Sequence, residues 1–214
     1  MAAKPAKSKK ARRAWNKGVK VGQRDALSPA EVKKVRRQLA FRGDAGLRDL
    51  ALFSVAIDTM LHASVLLRLT VKDVRQKNGS MRSLLEIARA NGDASLRCTV
   101  SKATADVLEH WIVLGNKKPG DYLFPGRGNT PPRPMTTRQM SRLLKSWIED
   151  VGLDPVRYGT ESLRRTRALH ILNNTGDMEA VRALLGHSSI TSTANFLRVT
   201  KHSDPIAISR AYEI

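Results

Sequence analysis

Apolar positions along this chain fall mostly at intervals of three and four, the spacing that lines one face of an α-helix. Ser28-Pro29-Ala30-Glu31 offers an N-cap serine, a proline at the first helical position and a glutamate at the third. A helix is therefore predicted from there to about Phe41, with Gly43 helping to end it. A second runs from about residue 46 to 61, with Leu47, Leu50, Ala51, Ser54, Val55 and Asp58 spaced for its faces, and a shorter third covers 63–67. After Leu69-Thr70-Val71 come two strand-like stretches, 83–89 and 95–100, joined through Asn91-Gly92-Asp93 as a β-hairpin or part of a small sheet. Further helices are predicted at 102–114, 136–151, 161–173, 178–185 and 192–197, with a turn at Lys117-Lys118-Pro119-Gly120 and a Gly/Pro-rich loop at 126–134. In the 136–151 helix Met140, Leu143, Leu144, Trp147 and Ile148 share one face. The fold class is α+β, mainly α, with one small antiparallel sheet inserted early.

Charge changes the picture more than composition does. Lys and Arg number 38 against 19 acidic residues, a formal net charge of +19, so a polyanion is the expected partner: nucleic acid first, an acidic membrane surface second. Residues 1–24 contain Lys4, Lys7, Lys9, Lys10, Arg12, Arg13, Lys17, Lys20 and Arg24, with no acidic residue and little to form a core. Residues 1–27 are accordingly expected to be a basic flexible arm that contacts DNA, and a targeting sequence is the rival reading of so acid-poor a start. The body that follows is basic in its own right. No apolar run approaches the ~18 residues of a membrane span, and the N-terminus lacks the apolar stretch of a secretory signal. The single cysteine, Cys98, cannot form an internal disulfide, which fits a reducing, cytoplasmic setting, and it reads as a small hydrophobe in a strand.

Three local patterns, in order, carry a family likeness. The first is Asp58-Thr59-Met60-Leu61-His62-Ala63-Ser64-Val65-Leu66-Leu67-Arg68-Leu69, followed by Val71-Lys72-Asp73-Val74. The second is Glu161-Ser162-Leu163-Arg164-Arg165-Thr166, with His170 beyond it. The third is Leu184-Leu185-Gly186-His187-Ser188-Ser189-Ile190-Thr191-Ser192-Thr193. Together they resemble the Thr-Gly-Leu-Arg run, the His-x-Leu-Arg-Arg/His-Thr box and the Leu-Gly-His box of the tyrosine recombinases, the phage-integrase family. The resemblance spans about residues 28–200 with a hairpin between the first two patterns. It implies the family's catalytic-domain (DNA breaking-rejoining) fold over 28–202, with 203–214 as a tail similar to the segment by which members dock on a neighbouring protomer. The family also carries a helical core-binding domain ahead of the catalytic one; here the basic arm stands in that place, so tight site recognition by this chain alone is not expected.

The family's chemistry explains its residue types. A Tyr hydroxyl attacks a DNA phosphodiester and forms a phosphotyrosyl link. Two Arg guanidinium groups hold the non-bridging oxygens, whose charge grows in the transition state. A hairpin Lys is the general acid, and two His positions assist with protons and phosphate contact. No metal and no cofactor is implied. Carried over by resemblance, the first Arg position holds His62, the hairpin Lys falls on Asn91, the second-box His is Glu161, the second Arg is Arg164, the Leu-Gly-His histidine is His187, and the nucleophile position, nine residues later, holds Phe196. Only Arg164 and His187 keep the family's residue.

The resemblance therefore implies a DNA-binding protein whose catalytic site is degenerate, with an architectural or regulatory role in site-specific recombination or mobile-element maintenance. Expected partners are double-stranded DNA and a second protomer, either this chain or an active recombinase, in a prokaryotic, phage or plasmid context. Neither a membrane nor a small-molecule substrate is expected. Arg164, His187, Arg165 and Arg89 are the expected phosphate contacts. Arg165 and Arg167 read as solvated or as backbone-phosphate contacts, His170 as a packing residue, and Phe196 as a core or interface aromatic filling the slot of a Tyr ring. Two rival readings stay open: an active recombinase that uses Tyr158 or Tyr212, and a general basic nucleic-acid-coating protein.

Overall fold

The computed structural model describes residues 24–88, 95–126, 128 and 131–199. In chain order these form α1 (Pro29–Phe41), α2 (Asp44–Thr59), α3 (Ala63–Leu66), α4 (Val71–Val74), β1 (Leu84–Ile87), β2 (Leu96–Thr99), α5 (Lys102–Leu114), α6 (Thr137–Asp150), a 3-10 turn (Pro155–Arg157), α7 (Thr160–Thr175), α8 (Met178–Leu185) and α9 (Ile190–Leu197). The tail 203–214 lies outside the described residues, as does the arm up to residue 23.

Local chemistry sets the helix starts. Ser28 and Glu31 close a reciprocal capping box on α1, with the Ser28 amide donating to Glu31 Oε2 at 2.7 Å. Gly43 takes a φ of +56°, a region open to glycine, and turns the chain into α2. Gly46 is needed for another reason: a Cβ there would stand 2.2 Å from the Leu39 carbonyl oxygen of α1. The first turn of α2 can therefore lie close against α1.

Helix α2 is the hub. Eleven of its sixteen residues are buried, and it packs against α1, α5 and α7. Across from it, α6 inserts Trp147, whose ring meets Phe53 edge-on at 5.9 Å and whose indole N–H donates to the buried Asp49 carboxylate at 2.9 Å. Buried Trp needs such a partner for its one polar atom, and Asp49 supplies it. Around this pair lies the main apolar core, which takes in α1 through α6 and the hairpin. The hairpin pairs antiparallel, Leu85 opposite Cys98 and Glu86 opposite Arg97. Leu85 and Cys98 point inward, and burial pushes the Cys98 thiol up to about 11, which suits an inert packing residue.

Four expectations need correction. The second helix stops at Thr59 rather than Leu61, because Met60 adopts a left-handed φ of +52°. Leu69 and Thr70 are extended and pair with 121–123, but Val71 opens a helical turn that was not expected, capped by the Asp73 carboxylate, which accepts from the Thr70 amide and hydroxyl. A 3-10 turn at Pro155–Arg157 was also missed. The packed body begins before Ser28: Leu27 is buried in the core and its amide donates to Thr166 Oγ1 at 2.8 Å.

A second, smaller apolar cluster holds α7, α8 and α9 together. It contains Met60, Ala168, Val181, Leu185 and Leu197, with Phe196 and Leu184 among its partly buried neighbours. The candidate site lies along this cluster.

Candidate functional site

Three chain breaks position the side chains singled out by the sequence. At the first, the left-handed turn of Met60 ends α2 and leaves His62 as the N-cap of α3, its Nδ1 2.7 Å from Ser64 Oγ. At the second, Gly159 starts α7, which carries Glu161, Arg164 and Arg165 in its first two turns. At the third, Gly186 ends α8 with a φ of +69° and delivers His187 between α8 and α9, where Ser189 caps the helix that bears Phe196. Left-handed geometry at Gly186 is open to glycine at little cost.

The structure brings His62, Glu161, Arg164, His187 and Phe196 into one cluster. Glu161 lies between two partners: Oε1 is 3.4 Å from His62 Nε2 and Oε2 accepts from Arg164 NH1 at 2.8 Å. The Phe196 ring is flanked by three of the side chains expected to hold phosphate, two arginines and a histidine. The guanidinium carbon of Arg165 lies 4.8 Å from its centroid, that of Arg164 5.5 Å, and His187 meets it edge-on at 5.4 Å. Each such cation–aromatic contact contributes about 0.5–2 kcal/mol. His187 Nδ1 is 3.1 Å from Thr193 Oγ1. Burial and the neighbouring Arg164 hold the His187 imidazole below its ordinary 6.5, with Glu161 opposing them in part, so the ring is neutral at pH 7.

Both arginines turn out to be more deeply engaged than surface phosphate ligands. The Arg164 side chain is 13% exposed; its Nε donates to the Met60 carbonyl at 2.7 Å and NH2 to the Leu185 carbonyl at 3.4 Å. It therefore satisfies the two carbonyls released by the chain breaks beside it. Arg165, expected to be solvated or on backbone phosphate, is instead 3% exposed and donates to the carbonyls of Phe196 (2.6 Å) and Arg24. Its burial lowers the guanidinium below its ordinary value. Arg24, counted with the arm, is thus bonded to the folded body, where its own guanidinium donates to the Val156 carbonyl.

Other expectations can be placed as plainly. Tyr158, a candidate substitute nucleophile, is buried, and its hydroxyl donates to Glu31 Oε1 at 3.3 Å. Desolvation and the Glu31 charge raise the phenol above its ordinary value, the wrong direction for a nucleophile. His170 is exposed rather than packed and lies 3.2 Å from Asn174 Nδ2. Tyr212, Arg89, Asn91 and the basic residues of the arm other than Arg24 lie outside the described residues. Among the described residues no group of His, Cys, Asp and Glu is arranged to hold a metal, and no helix is long and apolar enough to cross a membrane.

Sequence reasoning missed Asp25. Its carboxylate accepts from Arg157 Nε at 2.8 Å and from Arg198 NH1 at 3.1 Å, which ties the segment before α1 to the end of α9. The hydrogen bond and charge of Arg157 hold that carboxyl below its ordinary value. A signal was available, since Asp25 is the first carboxylate in the chain and ends the all-basic stretch.

Known proteins resemble this chain in sequence and in fold. The sequence profile of the phage integrase family matches residues 26–203. The tyrosine recombinase XerD of Halalkalibacterium halodurans is 27% identical over 182 residues, covering 82% of this chain and 58% of that protein. The tyrosine recombinase XerC of Corynebacterium efficiens is 30% identical over 156 residues, covering 72% of this chain and 47% of that protein. The chain thus spans about half the length of the curated relatives it matches. Among solved structures, XerA recombinase superposes with a TM-score of 0.70 at 20% identity, covering 88% of this chain and 65% of the other. The XerH site-specific recombinase bound to its difH substrate gives 0.68 at 19% identity, covering 87% and 53%. The catalytic domain of bacteriophage HP1 integrase gives 0.56 at 16% identity, covering 87% of this chain and 95% of that one. At such identities these superpositions establish the fold.

Proposed function

Because the chain belongs to the phage integrase family, we propose that it binds double-stranded DNA through the recombinase-type domain without cutting it. Its role is then architectural or regulatory, in site-specific recombination or the maintenance of a mobile element. One observation carries this reading: the position that resembles the family nucleophile holds Phe196, a ring with no hydroxyl, packed between Arg165, Arg164 and His187. Without an oxygen there, no covalent phosphoryl link forms at that position. The surrounding groups support the same reading. His62 offers at most one hydrogen bond where a guanidinium fork offers two, and Glu161 places a negative charge where phosphate would sit. Losing one preorganised donor costs roughly 10²–10³ in rate, and here several are replaced.

Support for duplex DNA as the partner comes from the net charge of +19 and from the XerH relative, which was solved on its difH substrate. The same kinship supports assembly on DNA, with a second copy of this chain or with an active recombinase, in the cytoplasm. The test is selection from a pool of random duplexes, followed by sizing of the recovered strands. A partial sequence preference, short of tight site recognition, with every strand intact, is the expected result. Binding with no sequence preference would favour a general coating protein, and shortened strands would overturn the reading.

A further inference from the structure

Glu161 occupies the centre of the candidate site. Both flanking positions that resemble the family's phosphate-holding arginines contact its carboxylate: His62 Nε2 at 3.4 Å from Oε1, and Arg164 NH1 at 2.8 Å from Oε2. A carboxylate presents two acceptor oxygens to these groups, much as a phosphodiester presents two non-bridging oxygens. We infer that Glu161 is a built-in anion that fills the phosphate position and keeps DNA phosphate out of it. The inference rests on the reading that the domain binds DNA.

Three features make this occupant hard to displace. Glu161 and Arg164 are three residues apart on the same helix, so the pair forms without ordering a loop, at high effective concentration. Nε and NH2 of Arg164 already donate to the Met60 and Leu185 carbonyls, so an incoming phosphate competes with Glu161 for NH1. An incoming phosphate would also stand against the carboxylate, and like charges at contact distance repel strongly where water is partly excluded. Bound DNA is then held by the surrounding basic surface while the central phosphate remains ungripped. Relieving that single negative charge should open the site, because it frees Arg164 NH1 and the His62 ring, which hold the carboxylate.

Inorganic phosphate is the first probe, since it needs no target sequence. The full chain, Glu161→Gln and Glu161→Ala are melted with and without millimolar phosphate at matched ionic strength. Phosphate should raise the Tm of both variants more than that of the unmodified chain, and His62→Ala added to Glu161→Gln should reduce the gain. On duplex DNA, Glu161→Gln should bind several-fold tighter at low salt, with a slope of log K against log[salt] steeper by about 0.9, the value of one added phosphate contact. Equal phosphate responses in all proteins overturn the inference and leave the DNA-binding reading standing. A phosphate gain in the variants with no duplex binding by any of them upholds the internal anion and overturns that reading instead.

Discussion

Two regions of this molecule are held together by different chemistry. The main core, around α2 and α6, is a continuous apolar body in which Phe53, Leu52, Trp147 and Ile148 are almost fully buried, and its buried polar residue Asp49 is matched by Trp147 and Arg48. The second region, along α7 to α9, is built on a cluster of five buried apolar residues that includes Met60 from the end of α2, and arginines do much of the joining. Arg164 bonds the ends of α2 and α8, while Arg165 bonds α9 to the segment before α1. The difference has a functional meaning. In a family whose chemistry needs arginine to grip phosphate, the same arginine type here spends its donors on backbone carbonyls and an aromatic face. Residues that look catalytic in a motif can persist because they pack.

That contrast is most exposed to attack at Arg164. Arg164→Ala should lower stability by about 2–3 kcal/mol, since it strands two carbonyls and the Glu161 charge in a partly buried place. Arg164→Lys should lose nearly as much, because an ammonium cannot reproduce the fork that reaches both carbonyls. Urea unfolding checks both. A lysine variant as stable as the unmodified chain would show that charge, not geometry, holds this region. In the main core apolar packing dominates, and there the cost of a substitution to a smaller apolar residue follows lost volume.

A smaller effect should appear as a pH dependence. His187 titrates below its ordinary 6.5 because it is desolvated and faces Arg164. As pH falls below 6.5 the unfolded chain takes up a proton that the folded chain refuses, so stability declines through that window and levels off below the folded value. Above 6.5 both states are neutral at this ring and it contributes no slope. His187→Gln should flatten the stability profile over the same window. A parallel profile in the variant would place the ring in solvent rather than against Arg164.

The two regions also differed in how far the sequence could be read. Elements with local signals were legible: the Ser28/Glu31 capping box, the apolar face of α6, and the hairpin around Leu85 and Cys98. The convergence of His62, Glu161, Arg164, His187 and Phe196 was legible too, through the order of three motifs. What could not be read was set by contacts distant in sequence. Nothing local says that Met60 turns left-handed; its carbonyl is bonded to Arg164, 104 residues away. Arg165 looks like any arginine in a basic chain until its carbonyl partners at Phe196 and Arg24 are known. Asp25 joins Arg198 across 173 residues of chain, beyond any periodic pattern.

On the proposed function, this domain is a binding and packing structure in place of a strand-transfer site. The most direct test is a covalent-adduct assay of the unmodified chain on a nicked suicide duplex carrying the selected sequence, read on a denaturing gel. No protein–DNA adduct is expected. None is expected for Phe196→Tyr either, because one restored group among several missing partners recovers almost nothing. An adduct formed by the unmodified chain would contradict the account, and mapping the linked peptide to Tyr158 or Tyr212 would identify the hydroxyl that had taken over.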